Sequence, residues 1–133
     1  MTHAARPLTG RSRAWAVLYT LQAVSVLSVL SLAWQFGTAG GMLGGGGTEQ
    51  LHGIGSIVVH VLTGLLTLAA IAYWRPMGGP LWPAVVSVLV FAASFVQAAY
   101  GARDGLIVHV PGAMVLTVGV VWVTAWSFMH VRR

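Results

Sequence analysis

Residues 49–74, EQLHGIGSIVVHVLTGLLTLAAIAYW, decide the fold. From Leu51 onward the run carries no Asp, Glu, Lys or Arg, and it exceeds the roughly 20 apolar residues that a helix needs to cross a hydrocarbon core. Yet it opens on Glu49 and holds His52 and His60. An ionisable side chain within a membrane span is costly enough to be a functional hypothesis by default.

Three other segments have the same character. Spans are expected at 14–36, 51–74, 81–101 and 106–129 of a single domain, 14–129, with tails at 1–13 and 130–133. The connections are GTAGGMLGGGGTEQ (37–50), RPMGGP (75–80) and ARDG (102–105). Links this short make consecutive helices antiparallel, so the expected fold is an all-α, integral membrane, up-down-up-down four-helix bundle. Composition agrees: 57% of the 133 residues are hydrophobic and 7% charged, against about 25% charged in soluble domains.

The arginines orient it. Arg6, Arg11, Arg13, Arg75, Arg132 and Arg133 fall on one side, while the other has Arg103 together with both acids, Glu49 and Asp104. The positive-inside rule then makes both termini cytoplasmic. The apolar run after the first arginines exceeds the about 7–15 residues of a signal-peptide core, so the first helix is expected to be retained.

The net charge of +5 comes without a single lysine and without a basic cluster, which excludes nucleic acid as a partner. Membrane lipid is the expected surrounding. With no cysteine, disulfides, thiolate metal sites and iron–sulfur clusters are excluded. GGMLGGGG is followed by no Gly-Lys-Ser/Thr, so it reads as a connector rather than a phosphate loop.

The halves resemble each other. WQFG (34–37) and FVQAAYG (95–101) each place a glutamine near the outer helix end, and LHGIG (51–55) and VHVPG (108–112) each place His-x-x-Gly at the start of the next helix. In a simple bundle the second and fourth helices are diagonal, and His52 and His109 fall at nearly equal depth. Two such imidazoles fit the axial positions of a haem iron. Gly55 and Gly112 lie about 60° around the helix from their histidines and one turn deeper, where a side chain would collide with a flat ring. Val59 continues the His52 face, and Ala113, Leu116 and Val120 that of His109. Arg103 is placed to pair with a propionate or with Asp104. Glu49, one turn before His52, is placed to accept its ring proton or to cap the helix with Thr48.

His60 is rotated by about 80° from His52, so it does not share that plane; a hydrogen bond to Gln22, Ser25, Ser28 or Ser94 is expected. Ser25, Ser28, Ser31 and Gln35 form a stripe suited to tight helix packing. A zinc site from His52, His109 and Glu49 is the rival metal reading, without a His-Glu-x-x-His signature behind it. His3 and His130 receive no role.

With Glu-x-x-His at the start of the second helix (Glu49, His52) and a further histidine at the start of the fourth (His109), the chain resembles one four-helix half of the heme A synthase family. It is also similar to small bacterial four-helix membrane proteins with the same two-histidine plan. It departs from the family in having Gly53 where arginine usually follows the histidine, and in lacking the second half. The resemblance therefore implies a haem-binding scaffold rather than heme A synthesis.

The expected function is that of a small b-type cytochrome-like protein of the bacterial cytoplasmic membrane, transferring electrons to or from a membrane redox partner or quinone. Haem b is the expected cofactor, with Gly55, Gly112, Arg103 and Glu49 around the ligands His52 and His109. The alternatives are a cofactor-free accessory protein with hydrogen-bonded histidines, and an enzyme of haem or quinone metabolism.

Overall fold

A computed structural model describes residues 10–101 and 105–129. It consists of α1 (Gly10–Leu43), α2 (Glu49–Trp74), α3 (Trp82–Gly101) and α4 (Leu106–Met129). All four are long and apolar enough to cross a membrane.

α2, α3 and α4 lie within two residues of the expected spans, but α1 does not stop at residue 36. Its 34 residues reach about 51 Å at 1.5 Å each, well beyond a hydrocarbon core of roughly 30 Å. The expected loop at 37–50 shrinks to 44–48. Where the helix ends is set by the sign of φ rather than by the first glycine. Gly45 is the first to take a left-handed conformation, with φ of 76°. Gly45 N–H donates to the Met42 carbonyl at 3.1 Å and Gly46 N–H to the Gly41 carbonyl at 2.7 Å. These are the two bonds of a Schellman stop, which closes the last turn.

Two threonines hold the overhang. The Thr38 hydroxyl donates to the Trp34 and Gln35 carbonyls at 3.1 Å each. The Thr48 hydroxyl donates to the Thr38 carbonyl at 2.6 Å, so Thr48 ties α2 to α1 and makes no side-chain cap of its own helix. The expected capping role with Glu49 therefore gives way to an interhelical bond.

Each helix packs on its sequence neighbours, and α4 closes the ring on α1, which leaves α2 and α4 diagonal. Leu21, Leu66, Val120 and Val123 are fully buried at the centre. Trp126 packs edge-on against Tyr73 and Trp82 near one end, where Arg75 lies 4.9 Å over the Trp74 ring. The serine stripe of α1 is buried, and Ser25, Ser28 and Ser31 donate back to carbonyls of their own helix. Polar links between helices include Gln22 Nε2 donating to the Ser127 carbonyl and the Thr67 hydroxyl donating to the Ser87 carbonyl, each at 2.9 Å. In a membrane each such bond contributes only about 0.6 kcal/mol, so close packing carries the association.

The repeat seen in the sequence extends through the core. Buried Leu21, Gln22, Ser25, Ser28 and Leu32 of α1 match buried Pro83, Ala84, Ser87, Val90 and Ser94 of α3 at one constant shift, the same that carries Gln35 to Gln97. Val59, Thr63, Leu66, Ala69 and Ala70 of α2 likewise match Leu116, Val120, Val123, Trp126 and Ser127 of α4, at the shift from His52 to His109. Two hairpins of one design thus face each other across the bundle.

Candidate functional site

His52 enters on the first turn of α2 and His109 on the first turn of α4. Their ring centres are 6.2 Å apart, with the planes at 62°. The diagonal placement brings the two first turns together across the bundle, so residues far apart in sequence share one site.

Each ring is held by the helix that precedes its own. His52 Nδ1 lies 2.9 Å from Thr38 Oγ1. The Thr38 proton is already directed at the Trp34 and Gln35 carbonyls, so the hydroxyl oxygen accepts and Nδ1 donates. His109 Nδ1 lies 3.0 Å from the Gln97 carbonyl, which accepts only. His52 Nδ1 therefore donates, which leaves Nε2 clear of that bond, and His109 Nδ1 lies against both the backbone carbonyl and the side-chain amide of Gln97. A donating Nδ1 is the arrangement by which metal-binding histidines are oriented and made more basic.

The spacing suits one metal between them. A metal–nitrogen bond of about 2 Å on each side, plus roughly 1 Å from ring nitrogen to ring centre, puts two trans imidazoles about 6 Å apart. Both rings line a cavity of about 760 Å³, within the roughly 300–1,000 Å³ of small-molecule sites. Its walls include Leu32, Phe36, Val59, Ala98, Ala113 and Leu116. They suit an apolar plate, and His52 and His109 are the residues that would hold its metal.

Three expectations change. Gly55 and Gly112 do not present bare faces to the cavity. A Cβ at Gly55 would meet Gln35 Oε1 at 2.5 Å and Trp34 Cδ1 at 2.9 Å, and one at Gly112 would overlap the Gln97 amide. α1 packs so closely on α2, and α3 on α4, that each missing side chain is replaced by a glutamine of the neighbouring helix. Glu49 is exposed at the cavity wall, and Thr38 takes the ring proton that it was expected to accept. Arg103 and Asp104 lie outside the described residues. No group of three His, Cys, Asp or Glu suited to a metal ion occurs among the described residues, so the His52, His109 and Glu49 zinc set does not assemble.

The glutamines differ in their bonding. With its amide oriented to satisfy the network, the Gln97 amide nitrogen donates to the His109 carbonyl at 2.8 Å and lies 3.2 Å from His109 Nδ1, and its oxygen accepts from Ala113 N–H at 3.3 Å. It bridges a turn of α4 that includes Pro111, a residue that brings no N–H of its own. Gln35 Oε1 is buried without a partner.

Sequence reasoning missed Thr38 and Gly101. Thr38 sat in what read as a loop. Gly101 makes room for His109, since a Cβ there would stand 3.0 Å from ring Cε1 and 3.1 Å from Nδ1. The paired glutamines were the available signal, because both lie on the helices that carry the anchors. His60 takes one of its expected partners, with Nδ1 at 2.8 Å from Ser94 Oγ.

Comparison with protein-family models, with characterised proteins and with solved structures gives no match. The likeness to a heme A synthase half rests on Glu49, His52 and His109 alone.

Proposed function

We propose that the chain is a multi-pass b-type haem protein, in which His52 and His109 would hold the iron near one end of an up-down-up-down bundle. The observation that carries this reading is the 6.2 Å separation of two rings on diagonal helices, each anchored through Nδ1. Bound haem supplies one-electron chemistry, and ligation on both faces leaves no coordination position for a substrate. The protein's part is to fix both ligands and to surround the ring with an apolar wall, and its activity is electron transfer with a membrane redox partner.

Contacts between late α2 and early α3, as with Thr67 and Ser87, and between early α1 and late α4, as with Gln22 and Ser127, support antiparallel neighbours. The arginine bias supports cytoplasmic termini, and the composition supports a bacterial cytoplasmic membrane. The cofactor-free reading draws on a specific observation, the glutamines that already fill the recesses at Gly55 and Gly112.

Haem content separates the two. Protein purified from haem-replete cells is expected to carry one haem b per chain, with His52→Ala and His109→Ala each losing most of it. Haem-free protein that accumulates normally, together with a stable His52→Ala/His109→Ala variant, would establish the packing role instead.

A further inference from the structure

Two turns below His52 on α2, the same cavity meets a third histidine, and the polar groups around it share one property. Ser94 Oγ donates to the Phe91 carbonyl at 2.6 Å, so its 2.8 Å contact with His60 Nδ1 takes the proton from the ring. His60 is thereby fixed as the Nδ1–H tautomer, and its Nε2 carries a lone pair. Ser56, one turn away on the same face of α2, donates to the Gly53 carbonyl at 2.7 Å. Every one of these hydrogens is committed within the protein. His60, Ser56 and Ser94 all line the cavity, and with their hydrogens so placed these three groups offer a ligand acceptors.

The ring is also fixed from the side. A Cβ at Gly64 would stand 3.2 Å from Phe91, so that glycine seats Phe91 against α2. Phe91 meets Phe95 edge-on at 5.1 Å, and Phe95 stacks on His60 at 4.4 Å with the planes 4° apart. Phe95 covers one face of the imidazole and is itself 51% exposed, on the surface that a membrane would cover. With one face of the ring covered by Phe95, His60 meets a ligand from the cavity that it lines.

From this we infer that His60, with Ser56 and Ser94, forms a binding site for a lipid-soluble ligand that donates hydroxyl hydrogens, of the hydroquinone class, and that the site prefers the reduced ligand to its quinone. The preference follows from donor and acceptor chemistry. A hydroquinone brings O–H donors to an acceptor wall, whereas a quinone brings carbonyl oxygens and leaves acceptor facing acceptor, an unpaired arrangement that low-polarity surroundings penalise. His60 lies eight residues after His52, roughly 12 Å deeper along the helix, so its ring is separate from the ligand pair although both line one cavity.

The test is calorimetric titration of the full chain in lipid nanodiscs with an alkyl hydroquinone, its quinone and its dimethyl ether. The hydroquinone is expected to bind about tenfold tighter than either analogue, the scale of one neutral hydrogen bond. The preference is expected to vanish in His60→Phe and to persist in His52→Ala/His109→Ala, which separates this site from the haem reading. Nitrogen NMR of histidine-labelled His52→Ala/His109→Ala, in which His60 is the histidine left on the cavity, adds a second readout: hydroquinone is expected to move its Nε2 resonance, which the ether leaves in place. Equal binding of quinone or ether, a preference that survives in His60→Phe, or an unmoved resonance would overturn the assignment.

Discussion

His52 on α2 and His109 on α4 face each other at 6.2 Å between ring centres, and each is tethered through Nδ1 to the preceding helix, His52 to the Thr38 hydroxyl and His109 to the Gln97 carbonyl. The tethers differ in kind. A backbone carbonyl survives any side-chain substitution, and the Gln35 backbone also bonds His52, so a side-chain substitution can remove only the Thr38 part of the hold on His52.

Thr38→Val removes the acceptor for His52 while keeping the shape of the side chain. Haem affinity is expected to fall by about 10–100-fold, the usual cost of losing an outer-shell partner of a metal-bound histidine. Thr38→Ser is expected to restore it, as measured by haem retained during dilution. Equal affinity in wild type and Thr38→Val would show that the hydroxyl does not orient the ring.

Gly101→Ala places a methyl group 3.0 Å from His109 Cε1. The imidazole must then move by a few tenths of an ångström or α3 must shift, at the roughly 1–3 kcal/mol typical of overpacking. Lower thermal stability together with weaker haem retention is expected, and retention unchanged at lower stability would separate packing from ligation.

Gly112→Ala evicts the Gln97 amide from its recess and breaks its bonds to His109 and Ala113. Because the two positions share one space, Gly112→Ala is expected to cost much less in a Gln97→Ala background. Thermal unfolding in detergent should give a coupling of about 0.5–3 kcal/mol in a double-mutant cycle. Additive effects would mean that the glutamine does not occupy the recess.

Orientation is open to labelling because the chain has no cysteine. Gln50→Cys and Arg75→Cys introduce single thiols at exposed positions at the two ends of α2. An impermeant maleimide added to intact cells is expected to label Gln50→Cys and to spare Arg75→Cys until the membrane is opened. The reverse pattern would invert the topology.

The spans of α2, α3 and α4 were legible because unbroken apolar length is a property of single segments. So was the histidine pair, since equal depth follows from counting residues. The end of α1 was not legible: Gly37, Gly40 and Gly41 read as a connector, while the helix ends where φ turns positive at Gly45. Thr38 was hidden by the same reading, because a residue placed in a loop is not considered as an anchor. The filling of Gly55 and Gly112 depends on how closely α1 approaches α2 and α3 approaches α4, a quantity that spacing along one helix does not contain. His60 and Ser94 were legible as partners, whereas the commitment of the Ser94 proton to Phe91, which decides the histidine tautomer, required the three-dimensional contacts.

The coordination state of bound haem tests the central claim most directly. Reduced and oxidised visible spectra of the purified protein are expected to show six-coordinate, low-spin haem in wild type, and high-spin or absent haem in both His52→Ala and His109→Ala. A low-spin spectrum unchanged by either substitution, or no haem absorption in protein made with ample haem, would contradict it.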